Sequence, residues 1–151
     1  MVIGKRIWAA VVVGVGSVLL SCGGSAPTPE EFLAKAAGEP GAVRTPSGLV
    51  FRTLSPGQGG SPTATDTVRV HYAGTLTDGS EFDSSIKRGE PTEFRLDQVI
   101  PCWTEGVQRM KVGEKARLVC PAGIAYGVQG RPPVIPGNAT LVFEVELLGI
   151  R

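Results

Sequence analysis

Thr67-Val68-Arg69-Val70-His71-Tyr72-Ala73-Gly74-Thr75-Leu76 alternates strictly, with Val68, Val70 and Tyr72 on one side and Arg69, His71 and Ala73 on the other. Period two over a run rich in β-branched residues is the pattern of a strand with one buried face. Asp78-Gly79 follows at once, a strong hairpin turn, and Glu81-Phe82-Asp83 returns the chain antiparallel.

Further strands flank this hairpin. Leu49 to Leu54 is a short strand closed by Ser55-Pro56-Gly57, and Phe94 and Leu96 mark another. Ala116, Leu118 and Cys120 alternate with Lys115, Arg117 and Val119, and Leu141, Phe143, Val145 and Leu147 alternate with Val142, Glu144 and Glu146. One segment departs from period two. Trp103, Val107 and Met110 stand at i, i+4 and i+7 behind Pro101, which suits a first helical turn because its missing N–H would have no intrahelical partner. The expected fold is α+β, an antiparallel sheet of about five strands packed on one short helix.

Composition agrees. Among 151 residues, 21 are Gly and 12 are Pro, which excludes a long helical bundle, and an apolar fraction of 42% supports one ordinary core. A formal charge of +1 gives no electrostatic reason to expect a nucleic-acid partner. No repeat period appears.

The N-terminus reads as an address. Lys5 and Arg6 precede an uncharged apolar run, Ile7 to Leu20, that ends in Leu19-Leu20-Ser21-Cys22 and is followed by Gly23-Gly24-Ser25. The run has 14 residues, short of the ~20 a spanning helix needs, so a secretory signal is favoured over a retained anchor. Leu three places before a Cys, with Ser21 directly before it, resembles the bacterial lipobox, in which the Cys is lipidated and becomes residue one. The other reading is an ordinary cleaved signal with an incidental Cys. On the lipobox reading residues 1–21 form a lipoprotein signal peptide and Cys22 carries the lipid that anchors the protein to a membrane. Residues 22–44 are then a tether with a short amphipathic helix over Glu30 to Ala37, and residues 45–151 form the functional domain. In a cell with two membranes Gly23 carries no retention signal of the Asp kind, which points to the cell envelope, at the outer membrane facing the periplasm.

Catalytic constellations of the usual kinds are missing. His71 is the sole imidazole and sits mid-strand, where a structural, hydrogen-bonded role fits better than a triad. Neither a calcium loop nor a phosphate-binding Gly motif is present, so no metal and no cofactor are expected. Five of the nine aromatics, Tyr72, Phe82, Trp103, Tyr126 and Phe143, instead fall at strand ends and on the helix.

The wording around them carries a resemblance. Val70-His71-Tyr72-Ala73-Gly74-Thr75-Leu76, Phe82-Asp83-Ser84-Ser85, Val99-Ile100-Pro101 with Trp103, Ala125-Tyr126-Gly127, Ile135-Pro136 and Ala139 to Leu148 closely resemble, in order, the FKBP family of macrolide-binding peptidyl-prolyl isomerases. The match runs from about Thr45 to Ile150. It implies a five-stranded antiparallel sheet wrapped around one short helix, with a ligand pocket between them. It implies proline-containing polypeptides as substrates, macrolide-type inhibitors as ligands, and a cofactor-independent, non-covalent reaction. Transferred by position, Trp103 is the pocket floor, and Tyr72, Phe82, Val99, Ile100 and Phe143 are its walls. The Ile100 N–H and the Tyr126 hydroxyl are donors to ligand carbonyls, and Asp83 is the pocket carboxylate ordered by Arg88. Val134 and Ile135 form the apolar loop over the site.

Departures from the family are specific. Thr92 stands where an aromatic often forms the rim, and Arg131 and Pro132 alter the loop before Val134. Cys102 occupies a place commonly held by Gly. Cys120 faces inward on its strand, and in an exported protein two such cysteines are expected to pair. They are far from a C-x-x-C redox arrangement. No long helical arm for dimerisation is present, which favours a monomer.

Overall fold

The structure is a computed structural model describing residues 26–151. Residues 1–21, read above as a signal peptide, and Cys22 lie outside the described residues. The described chain opens with helix α1 (Pro29–Ala37), started by a reciprocal capping box in which the Thr28 hydroxyl accepts from the Glu31 N–H and the Glu31 carboxylate accepts from the Thr28 N–H. Three strands follow: β1 (Ala42–Arg44), β2 (Val50–Ser55) and β3 (Thr67–Leu76). The hairpin turn leads to β4 (Glu81–Ser84), the single-turn helix α2 (Ser85–Arg88) and β5 (Thr92–Arg95). Helix α3 (Pro101–Gln108), β6 (Lys115–Cys120) and β7 (Leu141–Ile150) complete the order.

All pairings are antiparallel, in the order β1-β2-β6-β7-β3-β4, with β5 also on β3. The sheet has seven strands, which corrects the five expected. Two physical reasons account for the difference. The chain opposite β3 is broken by α2, so that β5 pairs Thr67 to Val70 and β4 pairs Ala73 to Thr75, end to end along one edge. A three-residue edge strand, β1, adds to the other side. Leu96, expected in a strand with Phe94, begins a 3-10 turn (Leu96–Gln98) and is fully buried there.

The inner face of the sheet holds the main core. Val68, Val70, Tyr72, Ala116, Leu118, Cys120, Leu141, Phe143, Val145 and Leu147 pack with Trp103, Val107 and Met110 from α3 and the residues after it. Cys102 and Cys120, both fully buried, are joined as a disulfide with Cα atoms 5.9 Å apart, tying the start of α3 to β6.

The outer face explains apolar residues that strand alternation alone assigns to solvent. Val50, Val119 and Val142 are buried beneath Leu33 of α1, in a second, smaller cluster. A two-turn helix is marginal alone, and this contact is what it rests on. Glu39 ties the same face together through ion pairs to Arg52 and Arg117.

Candidate active site

Between α3 and the concave inner face lies a cleft of about 730 Å³. Ten of the residues expected at the site line it: Tyr72 from β3, Phe82 and Asp83 from β4, Val99, Ile100 and Trp103 from the entry to α3, Tyr126, Val134 and Ile135 from the β6–β7 loop, and Phe143 from β7. The eleventh, Arg88 on α2, reaches the same place through hydrogen bonds rather than by lining the cleft. Phe94, Gln98 and Arg131 also line it. Phe94 was legible only as a strand residue, yet its inward position on an edge paired to β3 Val68 carries it beside the helix.

The floor is an aromatic box. Trp103, 4% exposed, meets Tyr72, Phe94 and Phe143 edge to face at centroid distances of 5.2, 5.3 and 5.4 Å. Phe82 stands perpendicular to Phe143 at 5.6 Å. Such T-shaped pairs set the positive ring edge against the negative ring face, each contributing about 0.5–1.5 kcal/mol beyond area burial. Gly74 permits this arrangement. A Cβ there would lie 2.6 Å from Phe82 and 2.9 Å from Phe143, so any side chain on β3 at that point would push the two rings apart. The Trp103 Nε1–H is buried and has no hydrogen-bond partner among the described residues.

One wall is polar. The Tyr72 hydroxyl donates to Asp83 Oδ2 at 2.5 Å and accepts from Arg88 Nη2 at 3.2 Å. Arg88 Nη1 also donates to Asp83 Oδ1, and Nη2 to the Thr92 hydroxyl at 3.1 Å. Thr92 thus extends the polar wall where an aromatic rim was the family expectation. Burial pushes the Asp83 carboxyl up, but hydrogen bonds from Tyr72 and Arg88 outweigh it and hold it below the usual carboxylate range. Burial and the bond to Asp83 raise the Tyr72 phenol above its ordinary value, and its bond to Tyr72, then that to Asp83, raise Arg88. The three groups therefore keep one charge pattern, with Asp83 ionised and the Tyr72 proton retained.

Ser85 was missed as a site residue. It is fully buried, and its hydroxyl accepts from the Tyr72 N–H at 2.8 Å and lies 3.0 Å from His71 Nδ1. Thus His71, read as structural, helps hold the backbone from which Tyr72 projects. A second Ser directly after Asp83-Ser84 was the available signal, but its inward direction arises only because α2 begins there. Ile100 caps α3 with its carbonyl, accepting from Trp103 N at 2.9 Å, and no partner for its N–H is found among the described residues. That leaves a donor at the cleft wall. No group of three or more metal-ligating side chains is found among the described residues.

The family model of FKBP-type peptidyl-prolyl cis-trans isomerase matches residues 59–148. FkpA of Aeromonas hydrophila, an FKBP-type peptidyl-prolyl cis-trans isomerase, is 55% identical over 121 residues, covering 80% of this chain and 45% of that protein. FK506-binding protein 1 of Rhizopus delemar is 52% identical over 106 residues, 68% of this chain and 98% of that protein. Among solved structures, FkpA from Escherichia coli superposes with a TM-score of 0.79 at 50% identity, covering 82% of this chain and 57% of that one. A peptidyl-prolyl cis-trans isomerase from Pseudomonas syringae pv. tomato gives 0.76 at 40% identity, covering 85% and 98%. The chain spans less than half the length of the FkpA relative it matches. With both the family model and a near full-length relative in agreement, the chain belongs to the FKBP-type peptidyl-prolyl cis-trans isomerase family.

Proposed function

We propose that the protein accelerates rotation about X-Pro bonds in exported polypeptides, assisting folding at the cell envelope. The observation that carries this reading is the aromatic box closed on one side by the Asp83–Tyr72–Arg88 triad, a site rich in shape and poor in nucleophiles. The chemistry requires no nucleophile. Amide rotation faces a barrier of ~18–20 kcal/mol because it breaks resonance, and X-Pro bonds take tens to hundreds of seconds unaided.

A planar amide is more dipolar than the twisted form. An apolar box seating the proline ring on Trp103 therefore favours the twisted geometry over the planar one, relative to water. On this reading the Ile100 N–H and the Tyr126 hydroxyl, both from residues lining the cleft, hold carbonyls on either side of the rotating bond, and Asp83, ionised and paired with Arg88, fixes the polar wall. Val134 and Ile135 cover the ring, and Val99, Phe82 and Phe143 close the sides. A millionfold acceleration would need ~8 kcal/mol, a sum within reach of several contacts that favour one geometry.

A protease-coupled assay on a short X-Pro peptide tests the reading, with Trp103→Ala and Asp83→Ala as controls and a macrolide as competitor. Acceleration by wild type, lost with Trp103→Ala and blocked by the macrolide, is the expected result. If wild type binds Pro-containing segments but shows no acceleration, the protein is a binding or chaperone module instead. The exposed apolar side chain of Val134, which lines the cleft, is what would serve that role.

The envelope assignment rests on Cys22 and the signal-like segment before it. Lipid at Cys22, exposure to the periplasm from the outer membrane, and a monomeric state complete the proposal. Among the described residues no helix is long and apolar enough to cross a membrane. Intact mass of the membrane-extracted protein should show diacylglyceryl and acyl additions on a chain starting at Cys22, and Cys22→Ala should remove them. An unmodified Cys22 in membrane-extracted protein would sink the lipid anchor.

A further inference from the structure

Two arginines bear on the cleft in unequal ways, Arg88 through the residues that line it and Arg131 by lining it directly. Arg88 is consumed internally, with Asp83, the Tyr72 hydroxyl and Thr92 all bonded to its guanidinium. Arg131 lines the same cleft from the opposite loop, is exposed, and takes part in none of the ion pairs found among the described residues. Since Asp83 is already neutralised by Arg88, Arg131 is the one uncompensated charge among the residues lining the cleft.

That charge has a fixed root. Arg131 and Ile135 exchange reciprocal backbone hydrogen bonds of 2.8 and 2.9 Å, a two-residue bridge within the β6–β7 loop. Gly130, at φ +62°, makes the turn into it, and a Cβ there would lie 2.5 Å from the Ile135 and Pro136 carbonyl oxygens. Asn138 N to Gly127 O at 2.9 Å closes the loop base. The exposed side chain therefore starts from a backbone held at Ile135, and Arg131, Ile135 and Tyr126 all line the cleft.

We propose that Arg131 is a specificity-determining residue that favours proline segments carrying an acidic side chain next to the proline. The inference rests on the isomerase reading and refines its substrate class. An exposed ion pair is modest, so the preference for Glu over Lys in kcat/KM is about 2- to 10-fold at low ionic strength. It fades near 1 M salt, where the Debye length falls to about 3 Å.

The test uses the full chain and two peptide series, Glu, Ala or Lys before the proline and the same three after it. The ratio of Glu to Lys rates is the readout, because changes common to all peptides cancel in it. Wild type should favour Glu in at least one series, Arg131→Gln should bring the ratio near one, and Arg131→Glu should invert it. A ratio unchanged in both variants and both series overturns the proposal, as does a wild-type ratio of one throughout. If wild type accelerates no peptide, the isomerase reading fails, and the same Glu-to-Lys comparison made on equilibrium peptide binding decides the role of Arg131.

Discussion

The two faces of one sheet solve opposite problems. On the outer face, three valines and Leu33 fill the space under α1 and leave only a crevice of about 10 Å³. On the inner face, rings stand edge to face around Trp103, and such rigid planes cannot collapse onto one another, so a cleft of about 730 Å³ stays open. Aliphatic side chains close a surface, whereas perpendicular aromatics braced by a polar wall hold one apart. Stability and function should therefore separate by face.

Trp103→Ala tests this most severely. Removing a buried Trp costs about 3–5 kcal/mol, and here three edge-to-face contacts go with it. Activity on an X-Pro peptide should drop by about tenfold or more even at temperatures where the variant remains folded. A folded variant with full activity would break the link between the aromatic floor and rotation.

Next in size is the Cys102–Cys120 bond, whose sequence separation is 18. Its loss in Cys102→Ala/Cys120→Ala should lower the unfolding free energy by about 3 kcal/mol, read from denaturant midpoints. Two free thiols by mass, in protein purified without reductant, would show that the inner face is not stapled in this way.

Leu33→Ala is the counterpart on the outer face. It should cost about 2 kcal/mol of stability, the lower end for a buried Leu because α1 can settle onto the sheet, while kcat/KM stays at the wild-type value. A fall in kcat/KM without unfolding would mean that the two faces are coupled through β6 and β7 and that stability and function do not separate by face.

The same contrast explains what was legible in the sequence. Alternation in β3 and β7 was plain because each strand buries one face along most of its length. The outward valines were not, since Val119 and Val142 look solvent-facing until α1, far earlier in the chain, is laid over them. The floor and walls of the cleft were readable through motif wording. Phe94 and Ser85 were not, because their inward directions depend on α2 interrupting the strand opposite β3, a break that no periodicity announces. Arg131 was visible only as a departure from the family, and its unpaired charge emerged once Arg88 was seen to be fully engaged.

The smallest expected effect concerns the polar wall. The folded Asp83 carboxyl lies below its ordinary value of about 3.9, so its contribution is complete above that pH and is lost as pH falls through the folded value. Tyr72 lies above its ordinary value of about 10, so its contribution is complete below that pH and is lost as pH rises through the folded value. Between about pH 5 and 9 the triad keeps one protonation pattern, and rotation of an uncharged X-Pro peptide should vary little through it. Tyr72→Phe removes one of the bonds that lower Asp83, which should move the acid limb of the profile upward. The Asp83 side chain is 41% exposed, so solvent screens the interaction and the displacement of the limb is small. Exchange rates measured by NMR on the peptide reach the acid range where coupling proteases fail. A limb that moves down in Tyr72→Phe would show that burial, rather than the hydrogen bonds, sets the charge of this wall.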